Sequence, residues 1–189
     1  LGIPFSDPLA DGRVNQESAA RALESGTTLE GVLEMVQRIR RQSDIPILCY
    51  TYMNPIYARG AEGVLRDAAK AGVDGMLFLD LPVEESATYV SWMRKYNVNN
   101  ISLVTPTTPP ARIARIVERA SGFVYCVSRE GVTGAQKSLA PAALDLVKRT
   151  KGLTPLPVAL GFGISTPEHA KSAAKVADAV VVGSAIVNR

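Results

Sequence analysis

Short apolar runs, rich in β-branched residues, recur at intervals along almost the whole chain. The runs span residues 45–50, 75–79, 101–104, 123–127, 157–160 and 179–182. Near-continuous apolar runs of this length are typical of strands that are buried on both faces of a parallel sheet. The pattern therefore predicts six such strands.

The segments between these runs have the spacing of amphipathic helices, with apolar residues at i, i+3, i+4 and i+7. Predicted helices span residues 29–41, 61–71, 83–96, 110–120, 141–150 and 166–176. The residues at the predicted helix ends agree with this pattern. Thr166 and Pro167 favour the start of a helix, and Gly72 follows a helix end that carries a basic residue. Alternating strands and helices predict βαβ units and an α/β fold with a parallel sheet.

Two architectures satisfy this alternation, an open doubly wound sheet and a closed (β/α)8 barrel. Residues 1–4 are consistent with the end of one more strand. A barrel typically takes about 250 residues, so we expect a barrel here to lack its first βα unit, most of strand 2 and its last helix. No composition shift divides the chain, which predicts a single, partial domain over residues 1–189.

Composition excludes several classes of protein. The net charge is +3, from 21 basic and 18 acidic residues that are interspersed, so no nucleic-acid surface is indicated. No apolar run approaches the ~20 residues of a membrane span. Cys49 and Cys126 both lie in apolar runs, which favours buried free thiols and a reducing, cytoplasmic location.

The carboxyl ends of the strands are where both architectures place their active sites. Asp11 lies in such a loop, although Asp11-Gly12 is also an ordinary turn signal. Glycines at 161 and 163, and Gly183 before a helix start, would let backbone N–H groups approach an anion. A dinucleotide fingerprint is absent, because its third glycine position holds Thr166.

Two further polar residues, Asp80 and His169, do not require a functional explanation. Asp80 either lines the site or caps the helix that follows it. His169, the only histidine, is expected to be exposed.

Together these loops resemble the signature of the tryptophan synthase α-subunit family. The most specific segment is residues 1–12, LGIPFSDPLADG; the others are residues 52–56, 80–85, 128–134, 161–165 and 182–185, in family order. The resemblance covers the whole chain and implies a (β/α)8 TIM barrel, incomplete here. It also implies a lyase of tryptophan biosynthesis that cleaves indole-3-glycerol phosphate by a retro-aldol reaction to indole and glyceraldehyde-3-phosphate.

The resemblance assigns two catalytic carboxylates. Asp11 would bond the indole N–H and stabilise positive charge on the ring, and Tyr125 would line the indole pocket and help to position the acids. The second carboxylate, a glutamate that acts as general acid and base, stands directly before the pair that matches Leu1-Gly2. We therefore expect the 189 residues to lack it and to be incompetent alone.

The remaining implied roles concern binding. Tyr52, Leu77 and Phe162 would form the wall of the pocket, and Thr133 would bond Asp11 when its loop closes. The phosphate would be bound by Gly134, Gly163, Gly183 and Ser184. The surface that faces the β subunit of an α2β2 heterotetramer would comprise Asp7, Pro8, Asn54 and Pro55. Pyridoxal phosphate would belong to that partner, with no cofactor and no metal in this chain.

One segment departs from the family pattern. After Asp11-Gly12 the family usually has proline followed by an apolar or threonine pair, whereas this chain has Arg13-Val14-Asn15. The departure bears more on partner affinity than on chemistry.

Other functions stay open at this point. The chain could be a catalytically incompetent allosteric partner of a β subunit, or a stand-alone indole-3-glycerol phosphate lyase. It could also be another phosphate-binding barrel that acts on a different sugar phosphate.

Overall fold

A computed structural model describes residues 1–127, 141–161 and 163–188. These residues form two compact units. The first unit comprises Leu1–Leu9 and Glu17–Ile101, and the second comprises Ala10–Gln16 and Ser102–Arg189. That both belong to one domain stays a prediction.

Helices and strands alternate along most of the described chain. In order they are α1 Arg13–Glu24, α2 Leu29–Arg40, β1 Leu48–Thr51, α3 Met53–Ala58, α4 Ala61–Ala71, β2 Gly75–Phe78, α5 Ala87–Lys95, β3 Asn99–Val104, α6 Pro110–Arg119, β4 Val124–Val127, α7 Pro141–Lys151, β5 Val158–Gly161, α8 Pro167–Ala173, β6 Ala179–Val181 and α9 Ser184–Val187. The predicted βαβ succession is confirmed.

In the first unit β1, β2 and the start of β3 pair in parallel, with Tyr50 beside Leu77. The first residues of the chain join this sheet, since Gly2 bridges to Tyr50 in parallel and the Ile3 N–H donates to the Tyr50 carbonyl at 3.0 Å. The expected strand end at residues 1–4 is therefore present as a short bridge.

In the second unit the end of β3 pairs in parallel with β4, β4 with β5, and β5 with β6. The register sets Tyr125 beside Leu103 and Ala159, and Val127 beside Gly161. Consecutive strands are thus neighbours, as in a series of βαβ units.

Side chains alternate between the two faces of each sheet. In the first unit Cys49 and Met76 belong to one buried cluster with the helix residues Val36 and Leu65. In the second unit Val124, Cys126 and Leu160 are clustered with Ile113 and Leu146. Tyr50, Leu77 and Tyr125 occupy the alternate positions, so they point to the face that these helices do not cover. The expectation of two buried free thiols, Cys49 and Cys126, is confirmed.

In each unit, an aspartate that lies directly before one strand accepts a hydrogen bond at the amino-terminal end of the preceding strand. Asp74, before β2, accepts a hydrogen bond from the Ile47 N–H at 2.6 Å and pairs with the Arg40 guanidinium. Asp178, before β6, accepts from the Val158 N–H at 2.9 Å and from the Lys151 ammonium at 2.7 Å. We refer to Asp74 and Asp178 as the strand-end aspartates.

We expect the replacement Asp178→Asn to lower the unfolding temperature near neutral pH, by a margin that shrinks in acid. The hydrogen bond from Lys151, and then the one from the Val158 N–H, hold the pKa of the Asp178 carboxyl below its usual range. A lowered carboxyl pKa stabilises the fold above the unfolded-state pKa, and this contribution is lost as the pH falls through the folded-state pKa. Thermal unfolding measured from about pH 7 to about pH 3 tests the trend.

Asp145→Asn is the matched control, because Asp145 pairs with Arg149 on the exposed side of α7 and such pairs contribute little. If the unfolding temperatures of the wild type and Asp178→Asn differ by the same amount at every pH, the charge of Asp178 is not what stabilises the strand end.

The structure corrects some details of the sequence prediction. Helix α5 begins at Ala87 rather than residue 83, because residues 83–86 form turns after Pro82. Helices α1 and α3 were not among the predicted helices. His169 is buried, with 9% of its surface exposed, and the expectation that it is exposed is wrong.

Candidate functional site

The predicted site residues of each unit lie at the carboxyl ends of strands, where parallel α/β folds place their chemistry. In the first unit Tyr52 follows β1 and Leu77 lies in β2. In the second unit Tyr125 lies in β4 and Gly163 follows β5. Each unit therefore contributes its own set of candidate residues, and the sets are described separately.

Tyr52 is fixed in an apolar setting in the first unit. Its side chain is buried, and its ring lies 5.5 Å from the ring of Phe5, measured between centroids. Phe5 comes from the loop that also carries Asp7 and Pro8. The sequence analysis assigned no role to Phe5. The one signal that pointed to it was its position between Pro4 and Ser6, in the segment that most resembles the family.

Helix α3 carries the residues that the resemblance places at a partner surface. Its first N–H, that of Met53, donates to the Asp80 carboxylate at 2.7 Å. Asp80 therefore caps a helix that precedes it in the chain, rather than the helix that follows it. Asn54 is exposed and Pro55 is half-buried on this helix.

The loop before Asp11 presents its tip to solvent. Asp7 is exposed and accepts a hydrogen bond from the Ser6 hydroxyl, and the Leu9 N–H closes a turn onto the Asp7 carbonyl at 2.8 Å. Leu9 is 87% exposed.

Asp11 is held at the start of α1 in the second unit. The Asn15 side-chain amide donates to its carboxylate at 3.4 Å, and the Gln16 side-chain amide donates to its backbone carbonyl at 2.9 Å. Because the Asn15 and Gln16 N–H groups both donate to the Gly12 carbonyl at 3.0 Å, this first turn is itself well fixed. Asp11 is half-buried, as suits a carboxylate that has to meet a ligand.

Tyr125 lies across Gly161 on the sheet face that the helices leave open. A Cβ atom at Gly161 would come within 2.8 Å of the Tyr125 ring and hydroxyl and within 2.6 Å of the Val181 Cβ. Burial raises the pKa of Tyr125 to about 12, so its hydroxyl stays protonated and can donate a hydrogen bond. Gly161 therefore makes room for Tyr125, and its expected approach to an anion stays a prediction.

Two of the predicted phosphate-binding glycines, Gly163 and Gly183, lie after β5 and β6. Gly163 has φ of 82°, a left-handed conformation that favours glycine. Gly183 is the N-cap of α9, which begins at Ser184. Thr133, Gly134 and Phe162, which were predicted to take part in the site, lie outside the described residues.

Two structural features are absent from the described part of the chain. It contains no cluster of three or more His, Cys, Asp or Glu side chains that could bind a metal ion. None of its helices has the length and apolar character required to cross a membrane.

Comparison with known sequences gives matches along the entire chain. The sequence profile of the family described as tryptophan synthase alpha chain matches residues 1–189. The tryptophan synthase alpha chain of Opitutus terrae is 52% identical over 188 residues, which cover 100% of this chain and 71% of that one. That of Solibacter usitatus is 46% identical over 187 residues, covering 99% and 70%.

Comparison with solved structures also gives matches along the entire chain. The tryptophan synthase A-subunit from Pyrococcus furiosus superimposes with a TM-score of 0.92 at 41% identity, covering 100% of this chain and 76% of that chain. A chain of the tryptophan synthase complex from the same organism gives a TM-score of 0.90 at 43% identity, covering 100% and 75%.

Proposed function

Because the chain belongs to the tryptophan synthase alpha chain family, we propose that it cleaves indole-3-glycerol phosphate by a retro-aldol reaction to indole and glyceraldehyde-3-phosphate. The observation that carries the proposal is the family match over all 189 residues. The likeness to the solved α subunits also decides between the two architectures in favour of the (β/α)8 barrel. We further propose that residues 1–189 belong to one barrel domain.

The reaction needs a carboxylate near the indole nitrogen. Breaking the bond between indole C3 and the glycerol carbon requires protonation of the ring at C3, which leaves positive charge on the ring. Asp11, placed near N1, stabilises that charge in a site from which water is excluded. Its half-buried position and its two amide partners support this role.

Proton transfers at C3 and at the glycerol hydroxyl need a second carboxylate with a tuned pKa. The resemblance assigns this role to a glutamate, and activity is to be measured on the full-length gene product. Tyr125 acts beside the two acids, where its hydroxyl, which burial keeps protonated, is able to donate a hydrogen bond.

The substrate's two ends are bound by different residues in this proposal. Tyr52 and Leu77, with Phe162, form the apolar wall for the indole ring. The phosphate is bound by the glycine-bearing ends of the last strands, through Gly163, Gly183 and Ser184, together with Gly134. The resemblance also assigns Thr133 to this site.

The proposed partner is a tryptophan synthase β subunit. One solved relative is described as part of the tryptophan synthase complex, and another as part of an α2β2 complex that shows mutual activation. The exposed loop with Asp7, Pro8 and the apolar tip Leu9, and helix α3 with Asn54 and Pro55, form the surface that meets it. Pyridoxal phosphate belongs to the β subunit, and a biosynthetic complex of this kind is expected in the cytoplasm.

Indole release from indole-3-glycerol phosphate is the direct test. We expect the full-length protein to turn over slowly alone and much faster when a β subunit is added, because partner binding orders the catalytic loops. Fast turnover that the β subunit does not change would instead identify a stand-alone lyase. No turnover in either condition, with activation of the β subunit retained, would identify a binding partner without catalysis.

A further inference from the structure

The side chain of Asn15 makes a contact that the proposed reaction does not yet use. Asn15 is the third residue of α1, and its Nδ2 donates to Asp11 Oδ1 at 3.4 Å. This is a long hydrogen bond, beyond the usual range of about 2.7–3.2 Å for an N–H donor and an oxygen acceptor.

The charge on Asp11 dictates which way the Asn15 amide is turned. An ionised carboxylate only accepts hydrogen bonds, so the NH2 group and not the oxygen has to face it. The Asn15 Oδ1 atom is consequently turned away from Asp11. It is buried, and it has no hydrogen-bond partner among the described residues.

An unpaired buried acceptor is unfavourable for stability, and native proteins keep few of them. Asparagine is also a poorer helix former than leucine. The contact with Asp11 therefore explains why an amide stands at this position better than a contribution to folding does.

We propose that Asn15 is a positioning residue for the retro-aldol reaction, whose side-chain amide orients the Asp11 carboxylate through the hydrogen bond to its Oδ1 atom. This inference rests on the proposed role of Asp11. Asn15 itself touches no reacting atom; it acts through Asp11.

The test is to replace Asn15 in the full-length protein and to follow Asp11 directly. We expect Asn15→Leu to raise the pKa of the Asp11 carboxyl by about half a unit to one unit, because a donor to the charged form is removed. We expect kcat to fall by about three- to tenfold with KM little changed. The unfolding temperature should not fall, because the unpaired acceptor is removed as well.

The Asp11 carboxyl is followed by carbon-13 NMR, with its resonance identified by its loss in Asp11→Asn. A second variant, Asn15→Asp, keeps the size of the side chain and suits the first turn of a helix, so it is expected to fold. It places a like charge beside Asp11 and should raise the pKa of Asp11 further than Asn15→Leu does.

Gln16→Leu is the matched control. It removes the neighbouring amide, which donates a hydrogen bond to the backbone carbonyl of Asp11. We expect it to leave the pKa of Asp11 unchanged. Arg13, the exposed charge on the same turn, is kept in every variant, so its effect cancels in the comparison.

Two results separate the inference from the function on which it rests. An unchanged Asp11 pKa in both Asn15 variants, or a drop in stability without a shift, would overturn the positioning role. A raised pKa together with undiminished turnover in Asp11→Asn would support the contact and reject Asp11 as a catalytic group.

Discussion

Replacing Asp11 by asparagine in the full-length protein is expected to reduce kcat for indole release by about 10²–10³-fold, the range seen when a single group that stabilises transition-state charge is removed. The amide keeps the size of the side chain and removes its negative charge. The dissociation constant of glyceraldehyde-3-phosphate should change little, because the phosphate is proposed to bind to the glycines at the far end of the substrate.

Steady-state kinetics and calorimetric titration of glyceraldehyde-3-phosphate measure the two effects separately. Asp44→Asn is the matched control, because Asp44 is exposed before the amino-terminal end of β1, away from the strand ends that carry the site. Equal losses in turnover and in ligand binding would show that Asp11 maintains the structure of the loop and does not act on the ring.

Gly161→Ala is expected to have the second-largest effect. The added Cβ would meet the Val181 Cβ at 2.6 Å and the Tyr125 ring at 2.8 Å, distances that real contacts essentially never show. Overpacking of this kind costs about 1–3 kcal/mol of stability. Since Tyr125 has to move, we also expect kcat/KM to fall by at least about tenfold, as small displacements of positioned groups do.

Gly152→Ala is the matched control, because the nearest atom to its Cβ would be the Arg149 carbonyl oxygen at an ordinary 3.5 Å. Thermal unfolding and steady-state kinetics of both variants provide the comparison. Wild-type kinetics in Gly161→Ala would mean that the position of Tyr125 does not depend on the missing side chain at residue 161.

The strands were predictable from sequence because each is a short apolar run between turn signals. The predicted run at 75–79 became β2 over Gly75–Phe78, and the run at 123–127 became β4 over Val124–Val127. Local signals also determined the helix ends, since Gly72 adopts the left-handed conformation after α4 and the Thr166 side chain caps α8 at its start. These features depend only on neighbouring residues.

The features that escaped prediction depend on contacts between distant residues or on very short elements. Helix α3 has six residues with Pro55 among them, and its start is capped by Asp80, 27 residues later in the chain. His169 lies on α8, which ends at Ala173 and is shorter than the predicted helix over residues 166–176. The Asn15 contact requires that α1 begins at Arg13, which the sequence pattern did not indicate.

The candidate site was predicted through the family resemblance more than through chemistry. Residue pattern alone left Asp11 open between a turn residue and a functional one, and Asp80 open between a cap and a site residue. The structure assigns Asp80 as a cap and provides Asp11 with an amide partner. For Gly161 the pattern indicated an anion contact, whereas the glycine accommodates an aromatic ring from the neighbouring strand.

The strand-end aspartates have a consequence for how such a chain can diversify. Asp74 and Asp178 fasten the strands at their amino-terminal ends, through partners 27 and 20 residues away in the chain. The proposed chemistry depends on the opposite ends of the strands. Substitutions that alter substrate choice therefore need not disturb the hydrogen bonds of Asp74 and Asp178. Descendants of such a chain can acquire new specificities while they keep the same fold.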